Sequence, residues 1–322
     1  MEKFYSCKIK INKEQNSKRL DQALANLSNF TRSQIKILLN NNNIKKDGET
    51  AKNGSYRVKE DEVYDLNLHI PKQEKFIAED IPLNIMFEDE DIIIINKVAG
   101  MVTHPAPGNN SGTLVNALLN HTNNNLSNFD RTNRPGIVHR LDKETSGIMV
   151  VAKNNKSHLN LANQFKDHSI SRKYNAIVWG TPQNQTIEGY IERHRINRKK
   201  MSLNDIEEGK YSKTSIKLKK IYGIASLIEC ILATGRTHQI RLHMASINCP
   251  IVGDKIYGKN KMNKFGKNQD AFNKFLILKN FNRQALHAFH LGFIHPKSKK
   301  YIEFNSNLPQ DMQDLLNFVV KY

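Results

Sequence analysis

The stretch RPGIVHRLDKETSG, residues 134–147, runs directly into the apolar segment IMVVA, residues 148–152. The apolar segment is rich in β-branched residues and follows a run of turn-forming residues, so it predicts a buried strand. Asp142 lies in the turn-prone run just before that strand, two residues after Arg140. The pattern therefore predicts a charged side chain held at the end of a sheet.

Asp142 taken alone has two interpretations. A single aspartate between a turn and a strand commonly bonds its own backbone as an Asx-turn residue. In that interpretation His139 and Arg140 are ordinary solvated side chains. The alternative is a catalytic carboxylate, and the choice between them depends on other segments of the chain.

Length and charge restrict the class of protein. The chain has 322 residues, which suits one large domain with one or two small additions, and a formal net charge of +18, which suits a polyanionic partner. No apolar run reaches membrane-spanning length, and no basic amphipathic anchor is present. Nucleic acid is therefore the predicted partner.

The terminus and the cysteines indicate the compartment and exclude several kinds of site. The N-terminal sequence MEKFYSCKIK lacks the apolar core of a secretory signal. Cys7, Cys230 and Cys249 are odd in number and widely spaced, which fits neither a disulfide framework nor a zinc ribbon. The histidines at 238, 243, 287, 290 and 295 show no metal-binding spacing and are interpreted as polar core or RNA-facing residues. No glycine-rich phosphate loop occurs. We expect a cytoplasmic protein without metal or cofactor.

Residues 1–70 are predicted to form a small separate module. Helical spacing of apolar residues predicts a first helix carrying Leu20, Ala23, Leu24 and Leu27. Thr31 with Gln34 forms a capping box that starts a second helix. Asp47-Gly48 predicts a hairpin turn, followed by strands at 54–58 and 63–66.

This order resembles the S4 RNA-binding domain. The resemblance implies that Arg32, Lys36, Lys45 and Lys46 face RNA phosphates. A helical dimerisation or packing appendage is the alternative. Residues 71–80 are interpreted as a linker, because they contain a proline and several charges without periodicity.

Residues 81–322 predict an α+β domain around a large mixed sheet. Strands are expected at 82–87 and 92–95, and short strands and helices alternate irregularly after them. Segments suited to chemistry recur along this domain, at residues 96–105, 134–147, 171–180, 233–243, 283–288 and 295–296.

Together these segments resemble the pseudouridine synthase family that acts on large-ribosomal-subunit RNA, over roughly residues 80–310. The D type of that family is the most similar, because HPAPGN at 104–109, RKKM at 198–201 and RQALHA at 283–288 match its pattern. Val98 departs from that pattern, which usually has a proline there. The change loosens a turn but removes no reactive group.

The resemblance implies a mainly antiparallel central sheet and a role for each of several side chains. Asp142 is the implied catalytic carboxylate, and Arg241 the guanidinium that keeps it ionised. Tyr174 would supply an aromatic face for a uridine flipped out of its stack, and Arg140 would help hold that nucleotide. Without the resemblance, Arg241 would be read as a surface strand arginine and Tyr174 as a half-buried strand tyrosine.

Basic residues of the second domain are expected to bind the RNA backbone. These are Arg236, Arg198, Lys199 and Lys200. The expected substrate is 23S rRNA or the large ribosomal subunit, at the stem-loop that bridges the subunits, and the expected state is a monomer. Two alternatives stay open: a non-catalytic rRNA-binding assembly factor, and a hydrolase of N-glycosidic bonds that uses Asp142.

Overall fold

The computed structural model of the chain describes residues 3–28, 30, 32–70, 76–105, 108–127, 134–194, 196–197, 200–258 and 269–321. The chain divides into two compact units, residues 1–75 and 76–322. None of the helices described in them is long and apolar enough to cross a membrane.

The first unit packs two helices on a small antiparallel sheet. Its elements are β1 (Lys3–Lys10), α1 (Leu20–Leu27), α2 (Arg32–Asn40), β2 (Ile44–Lys46), β3 (Glu49–Thr50) and β4 (Val63–Ile70), with sheet order β1-β4-β2-β3. Leu20, Leu24 and Ile35 are fully buried and fill its core. The predicted turn is confirmed: Asp47 and Gly48 both have positive φ and join β2 to β3.

The predicted strand at 54–58 is wrong. This segment instead accepts hydrogen bonds from the start of α1, where the amides of Leu20 and Asp21 donate to the carbonyls of Tyr56 and Gly54 at 2.8 and 3.1 Å. The first amides of a helix have no intrahelical partner, so the segment satisfies them. β1, which pairs with β4, was not predicted, although Cys7, Ile9 and Ile11 alternate with polar residues. Thr31 and the side chain of Gln34, the predicted capping box, lie outside the described residues.

The second unit is built on one large sheet. Its strands are β5 (Ile85–Glu88), β6 (Ile92–Lys97), β7 (Ser146–Ala152), β8 (Ser171–Trp179), β9 (Gln185–Arg193), β10 (Met201–Asn204), β11 (Lys210–Ile221), β12 (Ala225–Leu232), β13 (Leu286–Ile294) and β14 (Tyr301–Asn305). The strand order is β10-β9-β11-β12-β8-β13-β7-β6-β5, with β14 paired to β13. Among the described pairs, β7 and β13 run parallel and the others antiparallel. The predicted mixed, mainly antiparallel α+β fold is confirmed.

Helices cover both faces of this sheet. They are α3 (Leu114–His121), α4 (Asn155–Lys166), α5 (Gln239–Ser246), α6 (Gln269–Lys279) and α7 (Gln310–Lys321). Ile92 and Ile94 of β6 pack in the core that contains Leu161 of α4. Ile93 and Ile95 pack on the other face with α3 and α7. Because both faces are buried, β6 is continuously apolar, as its sequence predicts.

The centre of the sheet places two predicted site residues near one another. Tyr174 of β8 lies opposite Ala288 of β13, and Ala288 lies opposite Gly147 of β7. The three positions form a row across neighbouring strands about 4.8 Å apart. Asp142 precedes Gly147 by five residues, so the loop before β7 brings its carboxylate toward the Tyr174 side chain.

A close backbone approach fixes the loop at 251–254. Gly253 has φ +74°, and a Cβ there would lie 1.9 Å from the carbonyl oxygen of Arg283. Gly223 has nearly the same φ, +76°, but its nearest neighbour would be the Nζ of Lys274 at 3.9 Å. The two glycines therefore share a backbone conformation but not a steric constraint.

We predict that Gly253→Ala destabilises the protein by several kcal/mol more than Gly223→Ala. The left-handed backbone costs both variants about 1–3 kcal/mol, and Gly253→Ala must also move the backbone at residue 283. Denaturant unfolding of both variants measures the difference. Equal losses would show that the close approach at Gly253 is not a constraint.

Candidate active site

Asp142 and Arg241 form an ion pair at the centre of the second unit. The Nη1 of Arg241 donates to the Oδ2 of Asp142 at 2.9 Å. Arg241 is buried and lies in α5, so neither part of the interpretation as a surface strand arginine is right. The Asp142 side chain is 19% exposed, and within the described residues its Oδ1 accepts no hydrogen bond. One carboxylate oxygen is thus fixed and the other is open.

A second carboxylate, that of Asp254, binds the guanidinium of Arg241. Asp254 accepts from the Nε and Nη2 of Arg241 at 2.7 and 2.9 Å, a bidentate pair. Its fully buried Oδ1 also accepts the amides of Ile256 and Tyr257. Burial acts to raise the pKa of Asp254, but the bonds from Arg241 and these amides outweigh it, so the pKa is lowered. Asp254 is therefore ionised and anchors Arg241.

His238 lies beside the same ion pair. Its Nε2 is 3.9 Å from the Oδ2 of Asp142, and its Nδ1 is 3.0 Å from the hydroxyl of Tyr257. Burial lowers the pKa of His238, and the negative charge of Asp142 offsets only part of that effect. The imidazole is consequently neutral at pH 7 and leaves Arg241 as the counter-charge in direct contact with Asp142.

Tyr174 and Asp142 line one cavity of about 240 Å³. Leu232 and Leu286 supply apolar wall, and arginines supply positive charge around the single carboxylate of Asp142: Arg140, Arg172, Arg236 and Arg241. Burial raises the pKa of Tyr174 to about 12, so its phenol is protonated at neutral pH. No other described group hydrogen-bonds that hydroxyl. The cavity thus combines an aromatic ring, an open carboxylate oxygen and an excess of guanidinium charge.

A second cavity of about 400 Å³ adjoins the first. Asp142, His238, Arg241 and the exposed Arg140 line both, so they form the boundary between the two spaces. The second cavity also contains Lys143 and other polar residues: Asn109, Lys255, Asn282 and Arg283. An extended ligand that occupied both cavities would therefore lie next to Asp142.

Two buried cations hold the loop that carries Asp142. Lys97, at the end of β6, donates to the carbonyls of Val98, Met101 and Lys143 at 2.8, 2.9 and 3.2 Å. Burial lowers the pKa of Lys97 to about 8. Arg283 donates to the carbonyl of Glu144 at 3.2 Å. The backbone on the C-terminal side of Asp142 is therefore fixed at residues 143 and 144.

Other buried histidines belong to the polar core, as expected. His243 bonds to Ser212 and Thr214 at 3.0 and 2.9 Å, and burial lowers its pKa to about 4. His287 bonds to Ser146 and Ser306. Within the described ranges, no three His, Cys, Asp or Glu side chains are grouped so that they could hold a metal ion.

The predicted RNA-binding residues of this unit differ in where they lie. Arg236 lines the first cavity and donates its Nε to the carbonyl of Tyr211 at 2.8 Å. Lys200 is half-buried just before β10. Arg198 and Lys199 lie outside the described residues. Arg236 is thus the member of this group with a defined place at the site.

In the first unit, a buried carboxylate orients Arg32. Asp21 is fully buried and bonds Arg32 and Arg19 with both oxygens, at 3.1–3.3 Å. The bond from Arg19 is the largest cause that lowers the pKa of Asp21, to about 2. Lys36 is exposed on α2. Two partly exposed guanidinium groups are therefore held at one surface position.

Sequence reasoning missed Asp254, Arg172 and His238. Asp254 had a weak signal, since it is a carboxylate directly after a glycine at the edge of a basic stretch. Arg172 had a clearer one, because it is two residues before Tyr174 on a strand and thus on the same face. His238 lay within the matching segment but was assigned only to the polar core or an RNA-facing surface.

Comparison with known proteins identifies close relatives. A model of the RNA pseudouridylate synthase family matches residues 91–246. Ribosomal large subunit pseudouridine synthase D of Zymomonas mobilis is 43% identical over 305 residues, which cover 94% of each chain. The protein of that name in Salmonella typhimurium is 37% identical over 309 residues, covering 95% of this chain and 92% of that one.

A solved structure shares the fold. Human RNA pseudouridylate synthase domain containing 4 aligns with a TM-score of 0.54 at 21% identity, covering 73% of this chain and 92% of that one. At this identity the match is informative about the fold alone.

We predict that Asp142→Asn lowers the pKa of His238 further. The charge of Asp142 is the main influence that raises this pKa against burial, and the amide removes it. Titration of the imidazole by NMR measures the change. His243 is the internal control, because its low pKa is caused by burial. A His238 pKa that stays constant in this variant would contradict the described geometry.

Proposed function

This chain belongs to the RNA pseudouridylate synthase family, and from that premise we propose that Asp142 is the catalytic carboxylate that converts specific uridines of large-subunit ribosomal RNA to pseudouridine. The observation that carries the proposal is the ion pair of Asp142. Arg241 holds its Oδ2, while its Oδ1 is open at the boundary of two cavities.

The proposed substrate follows from the relatives. Three relatives that cover nearly the whole chain, at 43, 42 and 37% identity, are named ribosomal large subunit pseudouridine synthase D. The net charge of +18 suits a polyanion of that kind. Within 23S rRNA we assign the stem-loop that bridges the two subunits as the target.

The reaction requires a base to leave and rejoin the same sugar. The bond between N1 of uracil and C1′ of ribose breaks, the base turns, and C5 bonds to C1′. A proton then leaves C5, and N1 gains one. Substrate and product contain the same atoms, so the isomerisation consumes no co-reactant. Asp142 would either attack C1′ or take the proton from C2′, and both routes need an ionised carboxylate.

Arg241 and Asp254 would keep Asp142 in that state. Burial alone favours the protonated form of a carboxyl group, and a guanidinium in direct contact opposes this. The pKa of Arg241 is itself raised, because the carboxylates of Asp254 and Asp142 outweigh the effect of burial. Asp254 therefore acts as a positioning residue that fixes the Arg241 side chain.

Tyr174 is assigned the aromatic face for the flipped-out base. Its ring lies in the same cavity as Asp142, and every base can stack on such a face. With a pKa near 12, the phenol enters the reaction protonated. Arg140 is exposed at the cavity boundary, where it suits the neighbouring phosphates or the gap left in the RNA stack.

The first unit is proposed to be an S4-like RNA-binding module. We keep the division into residues 1–70, a linker at 71–80 and a catalytic domain at 81–322. The paired guanidinium groups of Arg19 and Arg32 on Asp21, with the exposed Lys36 nearby in sequence, suit phosphate contacts. In the catalytic domain, Arg236 with the run 198–200 is assigned the same function.

We predict that Asp142→Asn abolishes pseudouridine formation while RNA binding is retained. The amide keeps the size of the side chain but can neither attack the sugar nor act as a base, so we expect a loss of at least about 10³-fold. Pseudouridines are mapped in rRNA from a strain lacking the gene, complemented with the wild type or the variant. Asp167→Asn, at an exposed position outside both cavities, is the matched control.

The outcomes separate the competing functions. An Asp142→Asn protein that still forms pseudouridine would disprove the assignment of the carboxylate. Normal ribosome assembly with this variant, but failure after removal of residues 1–70, would indicate a non-catalytic assembly factor. Release of free uracil by the wild-type protein would indicate a hydrolase.

We predict that Asp254→Asn lowers the single-turnover rate by about 10- to 100-fold, because a hydrogen bond to a charged group contributes about 1.5–3 kcal/mol. RNA affinity should not change. Asp91→Asn is the control, since Asp91 is a similarly buried carboxylate bonded to Asn154 and Ser157 away from the site. Equal effects of the two substitutions would show that only general stability was lost.

A further inference from the structure

The guanidinium of Arg172 is buried and has no acidic partner among the described residues. It is 7% exposed, and its Nε has no hydrogen-bond partner. Its one hydrogen bond among the described residues runs from Nη2 to the carbonyl of Ala233, at a long 3.4 Å. A buried donor without an acceptor costs about 1–3 kcal/mol, and more when it is charged. An unpaired arginine of this kind inside a functional cavity indicates an acceptor that arrives with the ligand.

The surroundings hold Arg172 inside the cavity. It lies on β8 two residues before Tyr174, so both side chains extend from the same face of the strand. The ring of Phe165 lies 5.6 Å from its Cζ, which gives partial compensation for the buried charge. A Cβ at Gly235 would come within 2.6 Å of its Nη1. Glycine at 235 thus leaves the space that the guanidinium occupies.

We propose that Arg172 is a further catalytic residue, which donates hydrogen bonds to the carbonyl oxygens of the flipped uracil and stabilises the negative charge on the departing base. This inference rests on the proposed function. A base stacked on Tyr174 has its edge beside Arg172, because the two residues are neighbours on one strand face.

The chemistry explains why a cation is useful there. When the bond between N1 and C1′ breaks, its electron pair stays on the uracil, and the charge spreads over N1, O2 and O4. An electron pair of the uracil anion then forms the new bond between C5 and C1′. C5 loses its proton, and N1, which carried the sugar in uridine, gains one and becomes an N–H. The transient anion is a better hydrogen-bond acceptor than neutral uracil. A fixed donor in a water-poor cavity therefore stabilises the transition state more than the bound substrate.

A phosphate is the less suitable acceptor for this guanidinium. The guanidinium of Arg172 lies against the ring of Phe165, and Leu232 and Leu286 line the same cavity. Burial also lowers the pKa of Arg172, because the guanidinium has lost most of its contact with water. A phosphate group would have to give up its own hydration to reach it. The exposed Arg140 at the mouth of the site is the better partner for the RNA backbone.

The test compares two leaving groups in single-turnover reactions at saturating RNA. The target position carries either uridine or 5-fluorouridine, whose electron-withdrawing fluorine stabilises the departing anion without help from the protein. The measured quantity is the rate at which the N1-linked nucleoside disappears. We expect Arg172→Met to slow the reaction of uridine by about 10²-fold. The reaction of 5-fluorouridine should slow by about 10-fold or less. The Kd for RNA should stay within about 3-fold of the wild-type value.

Two further variants keep the test interpretable. Arg172→Lys should restore part of the uridine rate, because lysine keeps a charged donor. Lys173→Met removes a neighbouring positive charge from the other face of β8 and should leave both rates within about 2-fold. Since Arg172 has no acid partner in the described part of the chain, Arg172→Met should not lower the Tm.

The proposal is overturned by any of three results: equal slowing of both substrates, a weaker Kd with unchanged saturated rates, or a Tm loss that parallels the rate loss. Failure of the proposed function is distinct from these results. In that case the wild-type protein itself would form no pseudouridine.

Discussion

The site depends on one guanidinium held between two carboxylates. Arg241 bonds Asp254 through two nitrogens and Asp142 through a third. Asp254 is in turn fixed by the amides of residues 256 and 257, and its loop joins the sheet through the bridge between Ile251 and Val178. A series of short hydrogen bonds thus connects Asp142 to the sheet and fixes its position.

This arrangement determines the chemistry available to Asp142. Two carboxylates and one guanidinium carry a net negative charge, which the buried cation Lys97 offsets at longer range. Because the groups are largely removed from water, each contact is stronger than it would be at a surface. Arg241 occupies one oxygen of Asp142, so the carboxylate has a defined orientation and a single open oxygen. An ionised, oriented carboxylate beside an aromatic ring suits attack on, or proton removal from, the sugar of a stacked nucleotide.

Sequence patterns predicted individual strands and helices better than they predicted which distant residues meet at the site. The apolar runs at 92–95 and 148–152 identified strands buried on both faces, since period and composition report burial directly. The pattern at 54–58 misled, because that segment bonds the start of a helix instead of a strand. Asp142 and Arg241 were linked only by resemblance: 99 residues separate them, and no local pattern reports such a contact. The contact of Asp254 with Arg241 was not predicted for the same reason. The position of Arg172 beside Tyr174 could have been predicted, because the two residues alternate onto one face of a strand.

The most direct test is the structure of the protein bound to RNA that carries pseudouridine at the target position, a product whose carbon-carbon bond prevents turnover. The deciding quantity is the distance from the Oδ1 of Asp142 to C1′ of that nucleotide. The arrangement of Asp142, Arg241 and Asp254 predicts about 3–3.5 Å, with Oδ2 still bonded to Arg241 and the base on Tyr174. A target nucleotide seated away from Asp142, or an Asp142 that turns both oxygens to Arg241, would contradict it.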